Sequence, residues 1–253
     1  MTPFVLFCTP RTGSYHFVSL LASAPDLDCH GEVFKPGRIE LEADVLAALG
    51  TSAAGASARD ADPLAFVERL RALTPESRVF GFKLFSNHVV AHKALRERIL
   101  GAPGWRKIVL DRDPLATYAS LLRAERTGVW TLQAGRAVDP ALLAAPVRFD
   151  AAGFGKHLRQ HAKFRRQVEA AAAVPGNPLL ELDYERLVHG DGLAAALRFI
   201  GSTADAAALS STMRRQFDAD LRTGFENWPE VESFLRENDM QVPAERKTTD
   251  SRQ

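Results

Sequence analysis

The chain has 253 residues, with 32 Lys+Arg against 31 Asp+Glu, seven His and a formal net charge of +1. That balance excludes the global basic field on which non-specific nucleic-acid binding depends. An apolar content of 46% with 25% charged residues excludes disorder as the main state and is enough for a large core.

In chain order, the first apolar run is Phe4 to Cys8, within a strand expected over Pro3–Cys8. It is far shorter than the roughly 18 residues of a membrane span. Without a basic segment and longer apolar stretch of the secretory kind, a cytoplasmic protein with no membrane span is expected. A helix follows over Ser14–Ser23, where Phe17, Leu20, Leu21 and Ala24 form one stripe by i, i+3, i+4, i+7 spacing. A weaker strand is read over Asp28–Val33 and further strands over Val79–Phe85, Lys107–Asp111 and Leu179–Leu182. Helices are expected within 39–50, 62–73, 88–100, 114–126, 151–173, 190–200 and 204–221. This alternation is the pattern of a central parallel β-sheet flanked by helices, an α/β architecture. Residues 50–62, small and polar, are read as an exposed connection, and 127–150 as a surface loop that serves as a lid or insertion. The whole is expected to be one domain over 1–240, with a flexible tail over 241–253.

Two cysteines, Cys8 and Cys29, lie outside any CxxC spacing, so neither a disulfide scaffold nor a zinc site is indicated. Cys8 reads as a small buried strand residue. His157 and His161, at i and i+4, stand among Arg159, Gln160 and Lys163 and read as a wet face rather than a metal site.

The segment Thr9-Pro10-Arg11-Thr12-Gly13-Ser14 joins a strand to a helix. Such a loop aims backbone N–H groups and a helix N-terminus at one point, which suits a phosphate. Against GxxxxGK[ST] it keeps Gly13 but has Cys8, Ser14 and Tyr15 where Gly, Lys and Ser/Thr belong, so the nucleotide-triphosphatase pattern fails and Arg11 is left to supply the cation. A second strand-to-helix junction holds Arg112, with Asp113 as N-cap and Pro114 at N1. In the next helix Leu115, Tyr118, Ala119 and Leu122 make the buried stripe, and Ser120 lies about 140° around from Leu115. Arg112 and Ser120 can then face one anion, or else form an ordinary surface ion pair and a solvated hydroxyl.

Taken together, these segments resemble the PAPS-dependent sulfotransferases (PAPS, 3′-phosphoadenosine 5′-phosphosulfate), in particular bacterial carbohydrate sulfotransferases of the trehalose and nodulation-factor type. Thr9–Ser14 is similar to their 5′-phosphosulfate loop, Arg112 with Ser120 to their Arg-x7-Ser 3′-phosphate motif, and His30-Gly31-Glu32-Val33-Phe34 to their glutamate segment. Further echoes are Gly81-Phe82-Lys83-Leu84-Phe85, Asp183-Tyr184-Glu185-Arg186-Leu187-Val188 and Glu226-Asn227-Trp228-Pro229, so the likeness spans about residues 3–235. It implies a P-loop-like fold and sulfonate transfer from PAPS, as cosubstrate, to an acceptor hydroxyl on a carbohydrate or glycolipid. No metal is required by that chemistry.

For the site, the resemblance implies that Arg11, Thr12, Gly13 and Ser14 bind the 5′-phosphate, Arg112 and Ser120 the 3′-phosphate, and that Glu32 is the general base, with His30 and His88 as substitutes. Lys83 joins Arg11 and Glu32 as a catalytic candidate, standing at a strand's end near an anion or on an exposed edge, because a buried lysine needs a partner. His88 is expected to cap the next helix instead. Phe34, Trp130 and Phe149 are read as lining the acceptor side, and a homodimer is possible by analogy. The rival readings are a small-molecule kinase on a P-loop-like fold and a silent nucleotide-binding protein.

Overall fold

A computed structural model describes residues 1–135, 137–214 and 221–242. They form two compact units, Met1–Arg112 with His161–Met213, and Asp113–Gln160 with Arg214–Gln253. The proposed tail over 241–253 lies outside the described residues from 243 onward.

The first unit is built on five parallel strands: β1 (Phe4–Cys8), β2 (Leu27–His30), β3 (Val79–Phe85), β4 (Arg106–Asp111) and β5 (Leu179–Asp183), in the order β2-β3-β1-β4-β5. Both faces of such a sheet are covered, so its central strands read as unbroken apolar runs rather than alternating ones; every residue of β1 is buried. Successive side chains take opposite faces. Phe4, Leu6, Cys8, Ile108 and Leu110 pack with Phe17, Val18 and Leu21 of α1 (Ser14–Ala22). Val5, Phe7, Phe82, Leu84 and Val109 belong to the other core, with Phe66, Val67 and Leu70. Burying each such side chain favours folding by about 1.5–3 kcal/mol. Where Phe4 sits opposite Gly81, a Cβ on the glycine would come within 2.2 Å of the ring, so glycine is required.

Around the sheet lie α2 (Ala43–Ala48), α3 (Ala56–Ala61), α4 (Pro63–Ala72), α5 (Ser86–Ala91) and α6 (Lys93–Leu95), the last running into a π turn over Arg96–Leu100. The second unit holds α7 (Pro114–Thr127), α8 (Pro140–Ala144) and residues 151–160 of α9 (Ala151–Ala172), whose remainder belongs to the first unit. Helices α10 (Tyr184–His189) and α11 (Gly192–Ile200) follow β5, and α12 (Trp228–Glu237) closes the described chain. The second unit's own core gathers Tyr118, Phe149, Phe154 and Phe225, and a bridge pairs Val147 with Phe225.

All five expected strands are present. Four readings of the sequence need correction. Residues 50–62 are not a bare connection: they contain α3, whose Arg59 is 1% exposed. Its Nη1 donates to the carbonyls of Val33 (2.7 Å), Lys35 (3.2 Å) and Arg38 (2.8 Å), its head pairs with Asp60, and its plane lies over Phe34. A cation that satisfies three carbonyls is stable inside, which a composition of small polar residues does not disclose. Among the described residues of the helix expected over 204–221, Ala206–Ala208 form a 3₁₀ turn and 209–214 are not helical, while 215–220 lie outside the described residues. Phe34 and Phe149 are buried in the two cores and line no acceptor surface, whereas Trp130 is half exposed. Lys83 is on no edge, since β3 is flanked by β2 and β1.

Candidate active site

Chain connections leave β1 toward β2 on one side and β4 toward β5 on the other, so the order of strands reverses between β1 and β4. Open α/β sheets bind ligands outside the carboxyl ends of the strands at such a reversal. Arg11 follows β1 and Arg112 follows β4. The Arg112 Nη1 donates to the Arg11 carbonyl at 3.2 Å, so the two basic loops meet here.

The loop after β1 is held in an unusual conformation. Arg11 has φ 71° and Gly13 φ 83°, both left-handed. For an arginine this costs on the order of 1–2 kcal/mol, which surrounding contacts must offset. Thr12 is fully buried, its hydroxyl donating to the Thr9 carbonyl at 3.0 Å. Gly13 is required twice over, by its φ and because a Cβ would sit 2.3 Å from the Tyr184 ring. Gly13 is also the N-cap of α1, and no side chain caps that helix. The first N–H groups of a helix have no acceptor within it, so those after Gly13 are available to an anion, as is the positive end of the helix dipole. Burial and the Arg112 charge bring the Arg11 guanidinium down to about 10, leaving it a cation at neutral pH.

On β4, the Asp111 carboxylate accepts from the Arg112 N–H at 2.8 Å and pairs with His161 at 2.9 Å and Arg165 at 3.4 Å. Burial raises the Asp111 pKa, but the His161 hydrogen bond and these neighbours hold it below the ordinary value. The Arg112 guanidinium lies 4.1 Å over the Tyr184 ring, a cation–π contact that fixes its direction. Ser120, the other half of the expected 3′-phosphate pair, is half-buried on α7 of the second unit.

Glu32, just past β2, is 8% exposed. Its carboxylate lies 3.8 Å from the Lys83 Nζ, 3.5 Å from the His88 Nε2 and 3.2 Å from the Tyr15 hydroxyl. Lys83 is completely buried, with its Nζ 3.2 Å from the Tyr15 ring centroid and 4.7 Å from that of Phe85. Its ammonium has no hydrogen-bond acceptor among the described residues. Burial therefore pulls the Lys83 pKa down to about 8, against the opposing pull of Cys8, Glu32 and Glu40. Glu32 moves the other way to its burial: desolvation favours the neutral acid, but the His88 hydrogen bond, the Lys83 charge and Tyr15 together hold its pKa below the carboxylate range. The result is an ionised carboxylate in a nearly dry setting.

His88 is also a cap. The Phe85 N–H donates to its Nδ1 at 3.1 Å, which places the ring proton of the neutral tautomer on Nε2, toward Glu32. That nitrogen lies 3.5 Å from the Glu32 carboxylate. His30 faces elsewhere, toward Asp28 at 3.6 Å. Burial pushes the Cys8 thiol up to about 12, which makes it inert. His157 shares a hydrogen bond with Thr117 at 2.8 Å, and His161 pairs with Asp111 as described. No group of three metal-ligating side chains occurs among the described residues.

Two members of this cluster, Tyr15 and Glu40, escaped the sequence, and Tyr184 was seen there only within a motif echo. Tyr15 stands where a hydroxyl for magnesium would be expected and instead sends its phenol to Glu32 and, at 2.8 Å, to Glu40, which pairs with Lys35. Tyr184 backs both Gly13 and Arg112. The only prior signal for Tyr15 was its place in the first turn of α1.

No family model matches the chain. Nodulation protein H of Rhizobium tropici is 24% identical over 237 residues, 90% of this chain and 87% of that protein. Among solved structures, the sulfotransferase domain from the curacin biosynthetic pathway aligns with a TM-score of 0.50 at 14% identity, covering 98% of this chain and 94% of that one. The sulfotransferase from Alicyclobacillus acidocaldarius aligns more loosely, with a TM-score of 0.48 at 14% identity, over 95% of this chain and 97% of that one. The chain has the fold of the sulfotransferases and is similar in sequence to nodulation protein H over nine-tenths of its length, in keeping with the PAPS-dependent sulfotransferase family that its motifs resemble.

Proposed function

We propose that the chain transfers the sulfonate group of PAPS to an acceptor hydroxyl, giving a sulfate ester and adenosine 3′,5′-bisphosphate, and that the acceptor is a carbohydrate or glycolipid. The observation that carries this reading is the convergence of Arg11 and Arg112 at the sheet's reversal, with an ionised Glu32 beside the buried Lys83 ammonium, which has no hydrogen-bond acceptor among the described residues. Two cations and an uncapped helix start suit a ligand with phosphate at both ends. An orphaned buried ammonium suits an anionic group arriving from outside.

In this mechanism Arg11 and the N–H groups of Thr12, Gly13 and Ser14 hold the 5′-phosphate, while Arg112, with Ser120 assigned from its motif, holds the 3′-phosphate. Glu32 accepts the proton of the acceptor hydroxyl as its oxygen bonds to sulfur. The bond from sulfur to the phosphate oxygen breaks, and that oxygen keeps the electron pair. Charge growing there is met by the Arg11 loop, and charge on the sulfonate oxygens by Lys83. Preformed donors of this kind do not have to reorganise as the reaction proceeds, and a positioned base contributes about 10²–10⁴ in rate. The reading takes 1–240 as one catalytic domain with 127–150 as its lid. It also includes a cytoplasmic location, where two free buried thiols stay reduced, and a homodimer that light scattering tests.

Thermal shift and transfer assays test it together. Adenosine 3′,5′-bisphosphate should stabilise the protein without metal, and labelled PAPS should yield labelled product with hydroxylated acceptors. Stabilisation by ATP with magnesium instead would support the kinase. A shift without product from any acceptor would leave a nucleotide binder.

A further inference from the structure

Tyr15 has one phenolic proton and two carboxylates within reach, Glu40 at 2.8 Å and Glu32 at 3.2 Å. A single O–H donates fully to one oxygen at a time. The shorter contact is to Glu40, which sits nearer the surface and is paired with Lys35; Glu32 takes the longer one. Every other charged or titratable group around Glu32 is fixed by the fold: Lys83 from β3, His88 from α5 and Cys8 from the end of β1. Among the described residues, Tyr15 is the donor to Glu32 that also has a second carboxylate, Glu40, within hydrogen-bond distance.

From this arrangement we infer that Glu40 competes with Glu32 for the Tyr15 hydroxyl, and that the Tyr15–Glu40 pair thereby sets the proton affinity of the general base. The role rests on the reading of Glu32 as base, and it makes Tyr15 and Glu40 positioning residues rather than catalytic ones. The competition has a directional consequence. Removing the hydroxyl in Tyr15→Phe takes a donor from Glu32 and leaves a second carboxylate close by, so Glu32 binds its proton more tightly. Glu40→Gln removes a negative charge and replaces the competing carboxylate by a weaker, neutral amide acceptor. Its amide can donate to the phenol oxygen while the phenol turns to Glu32, which then binds its proton more weakly.

The test uses the full chain labelled with ¹³C at glutamate carboxyls, the Glu32 resonance being identified by its loss in Glu32→Gln. Its titration midpoint should move up by about one pH unit in Tyr15→Phe and down by about one in Glu40→Gln. The acid limb of kcat/KM for sulfonate transfer from PAPS should follow in both directions. Opposite shifts are the signature, because a merely structural contact would leave the midpoint in place or move it the same way in both variants. Either of those results overturns the inference. If the resonance shifts in opposite directions but the rate profile ignores it, the competition stands and Glu32 is not the base. The Glu40→Gln shift should shrink when Tyr15→Phe is also present, because loss of the Glu40 charge alone would lower the midpoint equally in both backgrounds; an equal shift overturns the inference.

Discussion

Two strand-to-helix junctions of this protein each carry an arginine just after the strand, but they start their helices in opposite ways. At β1–α1 the turn runs through left-handed Arg11 and Gly13, and no side chain caps the helix. At β4–α7 the Asp113 side chain accepts from the Ala116 N–H at 2.8 Å, with Pro114 in the first turn. A capped helix start has spent its donors on its own side chain, whereas an uncapped one keeps them for an outside anion. Under the proposed function, an anion after β4 would meet the Arg112 side chain, whereas one after β1 would meet both the Arg11 side chain and free backbone N–H groups.

This contrast can be broken in graded steps. Arg11→Ala should lower kcat/KM for labelled sulfonate transfer by about 10²–10³, the usual loss for one donor of a preorganised anion site. Retention of most activity would return the loop to an ordinary turn. Gly13→Ala meets both the positive φ and the Tyr184 ring, so it should lose about 2–4 kcal/mol in urea unfolding, together with stabilisation by adenosine 3′,5′-bisphosphate. Arg112→Ala should raise the KM for PAPS roughly tenfold, the scale of one lost charged hydrogen bond, and leave that for the acceptor nearly unchanged. An equal rise in both would make Arg112 a scaffold for the Arg11 loop. Asp113→Ala should cost about 1 kcal/mol of stability, read by thermal unfolding, with transfer per folded molecule intact.

The smallest effect is a pH limb. With the Lys83 pKa pulled down to about 8, the ammonium deprotonates as pH rises through that value, and kcat/KM should fall about twofold at the midpoint. Lys83→Arg, which stays charged, should carry the limb to higher pH if it folds. The same depression has a sign for stability. Between about 8 and the ordinary lysine value of 10.5 the unfolded chain holds the proton that the folded one has lost, so this group's contribution to stability grows as pH rises through that window.

Much of the architecture was legible because its signals are local. β1, β3, β4 and β5 announced themselves as short apolar runs, and α1, α4, α7 and α9 by periodicity with Gly, Pro or Asp at their starts. The turn after β1 and the position of Arg112 just after β4 were legible for the same reason, each being a junction contained in a few residues. Elements that depend on distant partners were not. Helix α3 stands on Arg59 reaching carbonyls of another loop, and α12, seen only as a motif echo, packs Val231 and Leu235 against residues far back in the chain such as Leu115 and Phe154.

What the amino-acid order determined by itself was a parallel sheet with basic residues after two of its strands; Glu32 entered as a candidate only through the family resemblance. Only the tertiary structure decided that Lys83 stands inside rather than on an edge, that His88 turns a proton toward Glu32, and that Tyr15 divides its hydroxyl between two carboxylates. The reason is physical. Strand and turn formation answer to neighbours a few positions away, but the charge state and direction of a buried group answer to whatever the fold brings within about 4 Å, and no periodicity records that.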